Sequence, residues 1–74
     1  MEPDWEDVER RLSALTVKQL RELGRTWFSG CLGGASTKRD VARTMTSQMR
    51  HWWRMDVGRI RTRYALSMLE ELEG

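Results

Sequence analysis

Cysteine is nearly missing from this chain. Cys31 stands alone, so no disulfide can close within the sequence and no cysteine-based metal site is available. A reducing compartment is the expected setting. Histidine is as scarce: His51 has no second imidazole with which to share a metal, and no orienting acid suggests itself for a His51–Cys31 nucleophile pair. Gly33-Gly34-Ala35-Ser36-Thr37-Lys38 has the composition of a phosphate loop but not its G-x-x-x-x-G-K-[ST] spacing. The chain is therefore expected to have no catalytic residues, no cofactor and no metal. Long apolar runs are missing too, and none approaches the length of a membrane span. The opening Met1-Glu2-Pro3-Asp4-Trp5-Glu6-Asp7 is acidic and does not read as a signal peptide. A cytoplasmic location is expected, at the nucleoid if the ligand is DNA.

Acidic residues are scarce in one place only. The net charge is +2, but residues 10 to 63 hold all thirteen Lys and Arg against three acids, Glu22, Asp40 and Asp56, a local balance of +10. Such a segment attracts polyanions through counterion release. Eleven of the thirteen bases are Arg, the residue suited to bidentate phosphate or carboxylate contacts and to stacking on aromatics. With 74 residues, the chain is one domain whose folding buries only about 60% of its unfolded surface. Its four Trp supply apolar area for a core or for a contact surface.

Periodicity predicts an all-α bundle of four helices, at about 4–14, 17–29, 37–55 and 57–72. Pro3 and the carboxylates after it suit a helix start, and Trp5, Val8, Leu12 and Leu15 form one stripe. Thr16 followed by Gln19 is a capping box, with Leu15 and Leu20 placed for the hydrophobic staple. Val17, Leu20, Leu23 and Trp27 then line one face, and Gly30 reads as the stop. Leu32 reads as an anchor in the glycine-rich stretch that follows, where Gly33 and Gly34 permit unusual backbone angles. In the third helix, Val41, Met45, Met49 and Trp52 share a face. Ile60, Tyr64 and Met68 centre about 100° away from that face, and Asp56-Val57-Gly58 offers a cap and a weak point at the change. Two separate helices are expected, with a single bent helix as the alternative.

Residues 15 to 45 resemble the helix–extended loop–helix family that includes SAP and LEM domains and the N-terminal subdomain of the terminator Rho. The resemblance is carried by Leu15-Thr16-Val17-Lys18-Gln19-Leu20-Arg21-Glu22-Leu23, by Leu32, and by Ser36-Thr37-Lys38-Arg39-Asp40-Val41-Ala42-Arg43-Thr44-Met45. Ser36 stands where SAP sequences usually have Gly. Residues 46–74 would be a helical extension of that core. The resemblance implies DNA or RNA binding, or protein binding as in LEM domains, through the loop and the start of the following helix. Backbone N–H groups there, beside Gly33 and Gly34 and flanked by Ser36, Thr37, Lys38 and Arg39, would suit a phosphate.

The third helix carries a row of arginines. Arg39, Arg43, Arg50 and Arg54 fall within about 60° of one another and away from the apolar stripe. With Lys18 and Arg21 they form the expected phosphate contacts of a small nucleic-acid-binding protein with weak sequence preference, of a kind encoded by phages or mobile elements. An acidic surface of a host or defence protein is the alternative partner for the same row. Trp53 points about 100° from Trp52, either as a stacking platform or partner contact, or packed on the last helix with Ile60 and Tyr64. That helix has apolar residues to spare in Ile60, Tyr64, Leu66, Met68, Leu69 and Leu72. They could fill the core, make a homodimer seam or lie at a membrane interface, although Glu70, Glu71 and Glu73 oppose docking on anionic lipid.

Overall fold

Side-chain caps open the first three helices; the fourth begins at Asp56, which the sequence offered as a cap, with the apolar Met55 before it and no side-chain cap. In the computed structural model, which describes residues 1–29, 32 and 36–74, α1 spans Trp5–Ala14, α2 Val17–Trp27, α3 Lys38–Trp53 and α4 Asp56–Glu73. Asp4 caps α1 by accepting from the backbone N–H groups of Glu6 at 3.1 Å and Asp7 at 3.3 Å. Thr16 and Gln19 form the reciprocal box: the Gln19 N–H donates to the Thr16 hydroxyl at 3.1 Å, and the Thr16 N–H to Gln19 Oε1 at 2.9 Å. Thr37 caps α3 through the Asp40 N–H at 3.1 Å. Helix α2 ends at Trp27, two residues earlier than expected, because Phe28 leaves the helical path and is fully buried. The expected stop at Gly30, together with Cys31, Gly33, Gly34 and Ala35, lies outside the described residues.

The core is built where stripes from the first three helices meet Ala65 and Leu69 of α4. Val8, Leu12 and Leu15 come from the first helix and its cap, Leu20 and Leu23 from α2, and Ala42, Met45, Met49 and Trp52 from α3. Leu32 packs against this cluster, as its expected anchor role requires. Phe28 stacks on Trp52 with ring centroids 5.2 Å apart. Val17 departs from the expectation. It sits at the first position of α2 and is 52% exposed, so the buried face of that helix begins at Leu20. Helix α1 packs chiefly on α3, α2 lies against α3 and α4, and α3 and α4 pack against each other.

The third and fourth helices are separate, and the corner between them is tight. Arg54 closes α3, Met55 is extended, and the Met55 N–H donates to the Trp52 carbonyl at 2.9 Å. Gly58 then passes that same carbonyl so closely that a Cβ on it would stand 2.4 Å from the oxygen and 2.9 Å from Trp52 Cα. Only glycine fits. One turn later the buried Thr62 hydroxyl shares its proton between the carbonyls of Gly58 at 2.9 Å and Met49 at 3.3 Å. Gly58, Thr62, Ala65 and Leu69 therefore make the buried face of α4. Ile60 and Tyr64, expected at the centre of the buried face, are each 58% exposed. Small side chains occupy the inner face because the close approach leaves no room for large ones.

The end of the chain is tied back to α1. Arg11 and Glu73 pair through the guanidinium, with Arg11 Nε 2.9 Å from Glu73 Oε2. Gln19 donates to the Leu72 carbonyl at 2.7 Å. The hydrogen bond from Arg11 holds the Glu73 carboxyl below its ordinary range.

Two expectations follow. Gly58→Ala gains helix propensity of about 1 kcal/mol, yet it must move a backbone carbonyl. Overpacking of this kind costs about 1–3 kcal/mol, so thermal unfolding followed by circular dichroism should show a fall in Tm of several degrees. Because the folded-state pKa of Glu73 is depressed, the stability it contributes is present above the unfolded carboxyl pKa and lost as pH falls through the folded value. Both side chains are about one-third exposed, so the effect is small. Urea midpoints measured between about pH 6 and pH 3 should fall less steeply in Glu73→Gln than in the parent chain.

Candidate functional site

The thirteen cationic side chains fall into three groups. Arg10, Arg11 and Arg25 face carboxylates, on Asp7, on Glu73 and Asp7, and on Glu22. Arg59, Arg61 and Arg63 lie over indole rings, with the guanidinium carbons of Arg59 and Arg63 5.1 and 5.9 Å from the centre of Trp53 and that of Arg61 4.5 Å from the centre of Trp52. The remaining seven are Lys18, Arg21, Lys38, Arg39, Arg43, Arg50 and Arg54. All are exposed, and their side chains make no ion pair, hydrogen bond or ring contact with another described residue. These seven are the cations singled out by sequence.

Helix geometry brings four of them together. Arg39, Arg43 and Arg50 lie on one face of α3, and Arg54, still in the right-handed helical region as the C-cap, continues the row. The buried side of that helix holds Ala42, Met45, Met49 and Trp52, so the row is displaced from the core as expected. Lys38 begins the helix beside the exposed Ser36 and Thr37. The Thr37 hydroxyl satisfies the Asp40 N–H, which leaves the N–H groups of Lys38 and Arg39 directed out of the helix end. Lys18 and Arg21 lie on the outer side of α2, away from Leu20 and Leu23. Gly33 and Gly34 lie outside the described residues.

Two features of this surface were not apparent from the sequence. The first is a carboxylate flank: Glu6 and Glu9 of α1 line a small hollow of about 150 Å³ with Trp5, Thr46, Ser47 and Arg50. Neither acid pairs with Arg50, but both lower the potential along that edge of the row. Thr46, at the floor of this hollow, is buried, and its hydroxyl donates within α3 to the Ala42 carbonyl at 2.8 Å. The second is the setting of Trp53. Trp5 meets it edge to face at 6.2 Å, and Arg59 lies over the ring while donating from Nε to the Trp53 carbonyl at 3.2 Å. Tyr64, one of the partners suggested for Trp53, stacks instead on Trp27, with centroids 5.5 Å apart and planes within 3°. That stack belongs to a different face of α4. The indole of Trp53 is half-buried among these neighbours.

Chemically, the arrangement offers hydrogen-bond donors and positive charge. Among the described residues, no three His, Cys, Asp or Glu side chains gather as a metal site requires, and no helix is long and apolar enough to cross a membrane. Comparison with models of protein families, with curated proteins and with solved structures finds no match, so the reading of this surface rests on its own geometry.

Proposed function

We propose that this protein is a non-enzymatic nucleic-acid-binding domain that grips the phosphate backbone through the arginine face of α3 and the basic start of that helix. The carrying observation is that Arg39, Arg43, Arg50 and Arg54 share one exposed face with no carboxylate partner among the described residues. A solvated cation with no intramolecular partner is free to neutralise a phosphate and so release the cations condensed on a nucleic acid. Two pairs of guanidinium groups, each pair one turn apart and the pairs separated by two turns, can follow a polyanion, and phosphate contacts of this kind fix position without reading bases. Lys18, Arg21, Lys38, Ser36 and Thr37 extend the contact toward α2, in the region that resembles the SAP, LEM and Rho N-terminal helix–extended loop–helix. The acids Glu6 and Glu9 beside Arg50 bias the ligand toward the Arg39–Arg43 end of the row.

Binding of short DNA and RNA oligomers, followed by fluorescence anisotropy against salt, tests this reading. With about six phosphate contacts, affinity should fall about 10³-fold between about 50 and 200 mM salt. Arg39→Gln combined with Arg43→Gln should reduce the salt slope by about two, while circular dichroism shows the fold intact. Equal affinity across that salt range, or an unchanged slope in the double variant, would refute it.

A further inference from the structure

Helix α4 has a second apolar face that nothing in the described structure covers. Its inner face is Gly58, Thr62, Ala65 and Leu69. On the outer side Val57 is 83% exposed, and Ile60 and Tyr64 are 58% each. These three side chains fall within about 60° of arc over two turns, centred more than 100° from the middle of the inner face. Trp27 of α2 extends the strip by stacking flat on Tyr64. Thr26, Trp27, Val57, Ile60, Arg61 and Tyr64 enclose a shallow hollow of about 390 Å³.

The charges around the strip say what kind of partner. Between Asp56 and Glu70, α4 carries Arg59, Arg61 and Arg63 and no acid. On the helix wheel Arg61 lies about 40° beyond the Val57 edge and Arg63 about 60° beyond the Ile60 edge; Asp56 lies on the Ile60 side too, but at the first position of the helix, so beside Ile60 and Tyr64 cations flank the strip on both sides. Arg61 is held in place by donating to the Trp27 carbonyl at 2.8 Å while lying over Trp52. Neither Arg61 nor Arg63 has a carboxylate partner among the described residues. Fixed guanidinium groups beside an apolar groove complement an amphipathic segment whose own flanks are acidic.

A second copy of the chain fits poorly. Pairing α4 with its duplicate about a two-fold axis sets the flanking arginines against their own equivalents. The acidic helix α1 cannot serve either, because its apolar stripe of Val8 and Leu12 is already buried. A lipid surface fits poorly as well: Ser67 and Glu71 continue the same face after Tyr64, placing a carboxylate where a bilayer would lie.

We infer that the Val57–Tyr64 face of α4 is a docking groove for an acidic amphipathic helix of a partner protein, with apolar residues at helical spacing and Asp or Glu beside them. This surface is separate from the arginine row of α3. Selection of displayed helix-forming peptides of about three turns, long enough to cover Val57–Tyr64 and to end before Glu71, against the full chain at about 0.15 M salt, tests it. The selected peptides should carry an apolar stripe flanked by carboxylates. Their affinity, read by anisotropy, should fall about tenfold in Ile60→Ser and again in Arg63→Glu, and should be unchanged in the Arg39→Gln, Arg43→Gln variant. Selected peptides without acidic flanks, peptides indifferent to Ile60→Ser, or none binding below about 100 µM overturn the inference. So does Ile60-dependent self-association in sedimentation equilibrium, or Ile60-dependent uptake by phosphatidylserine vesicles. None of these results bears on nucleic-acid binding by α3, which the α4 variants should leave intact.

Discussion

The carbonyl oxygen of Trp52 occupies the space that a Cβ on residue 58 would need, and this exclusion orders much of the molecule. It lets α4 turn back against α3 within a few residues and lie close enough for Thr62 to reach the Met49 carbonyl. Close approach favours small side chains, so Gly58, Thr62 and Ala65 face inward. The larger Val57, Ile60 and Tyr64 are turned to solvent by the same rotation. The corner also sets the arginines: Arg59 folds back over Trp53 and Arg61 over Trp52, each anchored on a backbone carbonyl. A glycine with no side chain thus determines where the aromatic and cationic side chains of two helices go.

The two populations of unpaired arginine that result differ physically. Those of α3 are free in solvent and retain their rotamer freedom, which suits contacts that tolerate variation in the ligand, as a phosphate backbone does. Those of α4 have already lost part of that freedom to indole rings and carbonyls. A held guanidinium has less entropy left to lose on binding, which favours a ligand of defined shape. Helix α1 adds asymmetry by placing Glu6 and Glu9 along one edge of the α3 row. The overall charge of +2 therefore conceals an uneven surface: α2 and α3 carry mostly cations, α1 mostly acids, and α4 has its arginines in the first half and Glu70, Glu71 and Glu73 at its end.

What could be read from sequence was what is decided locally. The Thr16–Gln19 box needs only residues three apart, and both of its hydrogen bonds are present. The Val8–Leu12–Leu15 stripe and the α3 stripe also follow from helical spacing, because those helices meet the core with their most apolar side. The separation of α3 from α4 was visible as a change in the direction of the stripe. The inner face of α4 was not. Hydrophobicity ranks Ile60 and Tyr64 above Thr62 and Gly58, and only the approach of another backbone reverses that order. Phe28 escaped notice because it lies just past a helix end, where periodicity no longer constrains a side chain. For the candidate site, the unpaired state of the α3 row could be read from the scarcity of nearby acids in sequence. The flank of Glu6 and Glu9 could not, since it depends on how α1 packs. The Arg11–Glu73 pair, spanning 62 positions, lies beyond any local pattern.

The methionines divide in a way that has a chemical consequence. Met45 and Met49 are sealed, at 0% and 1% exposure, whereas Met55, in the α3–α4 corner, is 46% exposed. A thioether reacts with peroxide only where peroxide can reach it, and the sulfoxide formed is polar. Met55 can take up oxygen while the core stays dry. Met45 and Met49 can do so only when the bundle opens, after which a polar sulfoxide in the centre opposes reclosure. In this protein the slow oxidation of two buried sulfur atoms is thus a chemical clock for unfolding, and each oxidised molecule is a record that its interior was once exposed.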